Sequence, residues 1–177
     1  MSNIDAVSQI MGWWSGLQED NAARAQLRRC SSLLEALDVQ QTHKLLKSIE
    51  NRNSHNAAIT LAIVLAHVGR SKNSGPSFAR VLGKGKSEDQ KLLSNLRFGG
   101  LLQSLVKREE NWEPVIRNLR RAIKIAKDES FNVRKLVGDI LFFNEQTQRD
   151  WTYDYWQTTR DDNSENESNQ KSEPTIV

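Results

Sequence analysis

Between His55 and Val68 the chain reads HNAAITLAIVLAHV, apolar on nearly every side of a helix. A helix without a polar face is either buried inside a globular protein or immersed in a membrane. The most apolar part, Ala57 to Val68, is shorter than the ~20 residues needed to span a bilayer, and it contains Thr60 and His67. The segment therefore belongs at the centre of an N-terminal helical bundle, and its neighbours must be helices with one apolar face each.

The flanking sequence supplies them. Ile4, Val7, Ile10, Met11, Trp14 and Leu17 recur at helical spacing, Ala22 to Arg29 reads as a short second helix, and Leu33 to Ile49 reads as a third that breaks near Asp38. The small and polar run Arg70 to Ser77 reads as a loop. After it come a helical turn at Phe78 to Leu82, the GKGK turn, and a helix opening at Ser87, where Ser87 and Gln90 suit a capping box. Gly99 and Gly100 punctuate the next connection, and two helices, Phe131 to Phe143 and Glu145 to Trp156, close the folded part. There is no Asn-Gly or Asp-Gly hairpin signal. The expected fold is all-α: a bundle over 1–69 and a basic bundle over 70–160, joined by a loop near 70–77. The acidic tail, 161–177, is too poor in apolar residues to fold and is expected to be disordered.

Charge is distributed unevenly. The tail holds Asp161, Asp162, Glu165, Glu167 and Glu173 against Lys171; setting it aside reduces 25 basic and 22 acidic residues to 24 and 17, a net charge of +7. Fourteen basic residues face seven acidic ones between Arg80 and Lys135. The sharpest case is Trp112 to Glu129. Trp112, Val115, Ile116, Leu119, Ala122, Ile123 and Ala126 follow the i, i+3, i+4 rule, which places Arg117, Arg120, Arg121, Lys124 and Lys127 on a separate arc. Glu113 is spaced to pair with Arg117 and Asp128 with Lys124, leaving Arg120 and Arg121 without a local acid. Such an arc is either a solvated face or a surface that tracks phosphates.

No constellation supports catalysis. LGKGKSED resembles a phosphate-binding loop, but Arg80 stands where the first glycine is required and no strand precedes it. Lys84 and Lys86 in that turn are instead candidates for backbone-phosphate contacts. His43, His55 and His67 have no partner at metal-ligand spacing, and Cys30 is the single cysteine, so no cofactor or metal is expected. His67 reads as a core or boundary histidine. Of the tryptophans, Trp14, Trp112 and Trp151 sit at core positions, while Trp13 either covers the core's edge or faces a partner. The N-terminus lacks a signal-peptide pattern, and the expected location is cytoplasmic.

The order of features is more telling than any one of them. A Trp-containing first helix is followed by Leu27-Arg28-Arg29, an apolar helix, the block SGPSFARVLGKGKSEDQKLLSNLRF from Ser74, LRRAI from Leu119 and an aromatic C-terminal helix pair. Over roughly residues 1–160 this resembles the CasB family, the small subunit of the type I-E CRISPR surveillance complex Cascade. The resemblance implies a non-enzymatic, all-helical protein of two bundles, present as two copies beside the backbone subunits that hold the guide RNA. It implies other Cascade subunits, a second copy of the chain, single-stranded DNA and guide RNA as partners, no membrane association, and a role in holding the displaced strand of the R-loop during antiviral defence. By position, the family's basic residues fall on Arg29, Arg52, Lys91, Arg97, Arg120 and Arg121, and the last two coincide with the arc read from charge alone. With Lys84, Lys86, Arg117 and Lys124 they form the expected nucleic-acid-binding set. Asn144 and Glu145 stand where a basic pair can occur in the family. The alternatives are a helix-turn-helix DNA-binding regulator and a helical protein-interaction subunit.

Overall fold

A computed structural model describes residues 3–158; the acidic tail, and the expectation of its disorder, lie outside the described residues. Ten α-helices follow one another: α1 (Asn3–Leu17), α2 (Asn21–Arg29), α3 (Leu33–Leu37), α4 (Gln40–Ser48), α5 (His55–Leu65), α6 (Phe78–Leu82), α7 (Asn95–Val106), α8 (Glu113–Ile125), α9 (Val133–Leu141) and α10 (Glu145–Tyr155). Three single 3-10 turns complete the order, and no strand occurs among the described residues. The fold is all-α. None of the described helices is long and apolar enough to cross a membrane.

Helix α5 is the hub. Every residue from Ala57 to Leu65 is buried, because α1, α2, α3 and α4 pack on it from one side of the sequence and α8 and α9 from the other. The core therefore runs without interruption past the 70–77 loop, with α1 also packing on α9. Trp14 adds direction to this packing by donating its indole N–H to the carbonyls of Leu65 and Val68 at 3.2 and 3.3 Å, which seals the end of α5 against α1. Trp13 is half-buried and donates to the Gln41 carbonyl at 2.9 Å, so it covers the core's edge.

Short helices start where side chains satisfy their first amides. Asp20 accepts from the Ala23 amide, Ser32 from Glu35, Asn132 from Lys135 and Asn144 from Thr147, each cap worth about 1 kcal/mol. Glu35 reaches back to the Ser31 amide and hydroxyl, and the amide bond, its first cause, holds the carboxyl below its usual range. The expected break near Asp38 is present: Asp38 closes α3, and Val39 precedes α4.

Two local expectations are corrected. Ser87 makes no side-chain cap, and only a 3-10 turn, Glu88–Gln90, follows it; the long helix α7 waits until Asn95. The chain between folds back on α6 instead, with the Leu92 amide donating to the Lys84 carbonyl at 2.8 Å and Leu93 to Leu82 at 2.9 Å. Burial of Leu93 against this loop outweighs a local capping preference. Gly85 permits the fold-back, since a Cβ there would lie 2.8 Å from the Gln90 carbonyl carbon. Gly99 and Gly100 lie inside α7 rather than ending a helix. The burial of Phe98, Leu101, Leu102 and Leu105 holds that helix together through them.

The C-terminal corner is built from aromatics. Phe98 stacks on Tyr155 at 3.9 Å between centroids, and the Tyr155 hydroxyl donates to the Leu93 carbonyl at 2.6 Å. Helix α10 approaches α6 so closely that a Cβ on Gly83 would lie 2.6 Å from the Tyr155 carbonyl carbon. Ser77 caps α6 and also donates to the Asp154 carboxylate.

Candidate nucleic-acid interface

Helix α8 is placed by its apolar stripe. Val115, Ile116, Leu119, Ala122 and Ile123 are buried against α5 and α7, which turns Arg117, Arg121 and Lys124 outward, all three exposed. Pro114 at the start of the helix fits its fixed φ and missing N–H. The expected pairs of Glu113 with Arg117 and Asp128 with Lys124 do not form: among the described residues no ion pair within 4.0 Å engages Arg117, Arg121, Lys124 or Lys127. The arc is thus four cations without an acidic partner there.

A cleft of about 860 Å³ opens between this arc and the N-terminal end of α3. Its walls are Arg117, Arg120, Arg121, Lys124 and Lys127 on one side and Ser31, Ser32 and Glu35 on the other, with His67 and Ile123 also lining it and Glu113 at the start of α8. Five cations therefore meet two carboxylates, one of them, Glu35, already engaged by Ser31. Arg120 differs from its neighbours. Its guanidinium donates to the carbonyls of Cys30 at 3.0 Å and Arg28 at 3.1 Å, so it ties α8 to the C-terminal end of α2. Arg28 is spent similarly, donating to the Ala66 carbonyl at 2.7 Å just beyond α5.

His67 records the field inside the cleft. Burial, and then the charges of Arg120, Arg28, Arg24 and Lys124, push it down from 6.5 to about 4. The ring is neutral at physiological pH, and its Nε2 is buried without a hydrogen-bond partner. Four cations thus act on one histidine that lines the cleft. Sequence reasoning missed the cleft, because His67, Ser31 and Ser32 lie in segments far from α8 along the chain.

The structure brings together Arg117, Arg120, Arg121 and Lys124 of the expected set and leaves the rest outside the cleft. Arg29 is exposed at the end of α2, and Arg52 is exposed in the 3-10 turn Arg52–Ser54. Arg97 is exposed near the start of α7, and Lys86 is exposed in the α6–α7 loop. Lys84 is paired with Glu129 at 2.9 Å, which fastens that loop to the turn after α8. Lys91 is half-buried, with its ammonium 4.2 Å from the Tyr155 ring centroid and 4.1 Å from that of Trp156, and it donates to the Tyr155 carbonyl at 3.1 Å. Its charge is held by aromatic faces in the C-terminal corner.

A protein-family model described as CRISPR-associated protein Cse2 matches residues 23–156, a span that contains every element of the cleft. No curated protein and no solved structure matches the chain significantly.

Proposed function

Since the chain belongs to the CRISPR-associated Cse2 family, and so is a subunit of a type I-E Cascade complex, we propose that it is the non-catalytic small subunit and that the α8 face binds nucleic-acid backbone to stabilise the R-loop. The observation that carries this reading is the arc of Arg117, Arg121, Lys124 and Lys127, exposed without ion pairs among the described residues and bordering a cleft of five cations. Cations without acidic partners gain most from phosphates, because binding releases condensed counterions and breaks no existing salt bridge. Flexible side chains on one helical face follow a single strand with little sequence preference.

Sequence choice then belongs to the guide RNA. Exchange of a DNA duplex for an RNA–DNA heteroduplex is close to balanced, so a few backbone contacts to the displaced strand decide whether the opened state persists. The remaining cations, Arg29, Arg52, Lys86 and Arg97, are further contact points outside the cleft; Lys84 and Lys91 take part after leaving Glu129 and the Tyr155–Trp156 corner. The same reading makes the chain a neighbour of the guide-RNA-holding backbone subunit and of a second copy of itself, in the cytoplasm. Binding of unrelated single strands across a salt series tests it, together with permanganate probing of the displaced strand in the assembled complex. Similar affinities that fall steeply with salt are expected. A preference for one duplex site would indicate a helix-turn-helix regulator instead, and salt-independent affinity would remove the electrostatic account.

A further inference from the structure

The cationic arc of α8 has a complementary segment within the same chain. Residues 161–177 carry five carboxylates and one lysine, no aromatic residue, and serines and asparagines between the charges. The end of the described chain fixes where this segment starts. Gln157 donates to the Arg80 carbonyl at 2.9 Å, and the Thr158 amide donates to the Tyr153 carbonyl at 2.9 Å, so the chain leaves α10 beside the end of α6. The Lys84–Glu129 ion pair joins that same corner to the turn that follows α8, immediately beyond Lys124 and Lys127. The described chain therefore ends, at Thr158, in the corner that the Lys84–Glu129 pair ties to the cationic end of α8. Nineteen residues beyond Thr158 reach up to about 60 Å when extended. Helix α8, thirteen residues long, covers only about 20 Å.

We propose that the acidic segment 161–177 docks on the α8 arc and cleft as an internal mimic of a phosphate backbone, and that nucleic acid must displace it. This rests on the nucleic-acid reading of the same face and adds its regulation. Spaced carboxylates on a polar chain present to Arg117, Arg121, Lys124 and Lys127 what a strand presents: negative charges at intervals, with no demand for a fixed shape. Tethering makes the contact effectively concentrated, in the millimolar range for a short flexible linker, although each ion pair is weak. Weak or short strands then lose the competition. A long strand held in register by the rest of the assembled complex wins it. The tail thereby reserves the face for strands delivered by the complex.

The test uses the full chain, a variant ending at Arg160, and a full-length variant carrying D161N, D162N, E165Q, E167Q and E173Q. Water-soluble carbodiimide, which joins carboxylates to nearby amines, is applied at low salt and at several protein dilutions. Mass spectrometry should find tail carboxylates joined to Lys124 or Lys127, with a yield independent of dilution and abolished by high salt or by a 20-nucleotide oligothymidylate. Both variants should bind that oligonucleotide about three- to tenfold more tightly than the full chain at low salt, the ratio set by the fraction of molecules with a free face. The gain should shrink towards onefold as salt rises. Intact oligonucleotide binding with no such cross-links and no gain in either variant overturns the tail proposal alone. Cross-links formed by a protein that binds no oligonucleotide in any form overturn the nucleic-acid reading, and the competition with it. A gain on truncation but not on charge neutralisation overturns the electrostatic mimicry.

Discussion

Arg120 and Arg121 are adjacent on one helix and of one residue type, yet the structure gives them different work, and alanine at each position should separate the two. Arg121 is exposed and makes no hydrogen bond or ion pair among the described residues. Its replacement should shift stability by less than about 0.5 kcal/mol and lower the salt dependence of strand binding by about one unit. Arg120 bridges two helices by donating to the Cys30 and Arg28 carbonyls at 3.0 and 3.1 Å. Hydrogen bonds from a charged donor contribute about 1.5 to 3 kcal/mol each when buried. Arg120 is only half-buried, so the pair together is worth about 1.5 kcal/mol. At about 2 to 4 °C per kcal/mol for a chain of this size, R120A should melt about 3 to 6 °C lower. Lysine should not rescue it, because an ammonium lacks the planar fork that spans two acceptors. A second readout is independent of melting. After burial, Arg120 is the largest cause of the low His67 value, so removing it should raise the His67 midpoint in a proton NMR titration, whereas R121A should leave that midpoint in place. Equal melting of the two variants with an unmoved His67 would refute the assignment of Arg120 as a brace between α8 and α2.

Other perturbations follow from the same geometry. His67 titrates near 4 in the fold against about 6.5 when unfolded, so the unfolded chain binds the extra proton between those values. Its contribution is fully present above about pH 6.5 and is lost as pH falls towards 4. Partial exposure scales it to about 1 to 2 kcal/mol, and H67Q should flatten that part of the pH–stability curve in urea titrations. G83A drives a methyl into the Tyr155 backbone and should cost about 3 kcal/mol, read as a lower urea midpoint. A variant that melts like the wild type would show that α10 can shift on α6. E129Q releases Lys84 from its ion pair and should steepen the salt dependence of oligothymidylate binding by up to about one unit, an increase that K84A in the same background should cancel.

Most of the helices were legible because burial on one face leaves a periodic trace: α2, α6, α9 and α10 lie where the spacing of apolar residues puts them, within a residue or two at each end, while α8 starts one residue after Trp112 and stops at Ile125, four short of Glu129. What was not legible depends on contacts between distant segments. The Ser87 capping box is a sound local signal, but Leu93 pairs back to Leu82 and is buried against it, and no local rule anticipates that. The cationic arc could be read from α8 alone. The cleft could not, because its far wall is Ser31, Ser32 and Glu35, some ninety residues earlier in the chain. Periodicity also treats charges as equal, and only the fold shows that Lys91 lies against Tyr155 and Trp156 while Arg121 stands free of such contacts.

The central position of α5 has a consequence for how the protein is made. The helix leaves the ribosome well before α8 and α9, which cover much of one flank, and those end only at Leu141. At 5 to 20 residues per second, the delay is about 4 to 15 seconds. Until α8 emerges, a helix destined to be buried from Ala57 to Leu65 is shielded by the first four helices on one side and uncovered on the flank that α8 and α9 will take. Yield during expression should therefore depend on elongation rate and on the supply of chaperones more than on the stability of the finished fold. Slower growth at low temperature, which weakens hydrophobic association of half-made chains, is the condition under which this protein should accumulate in folded form.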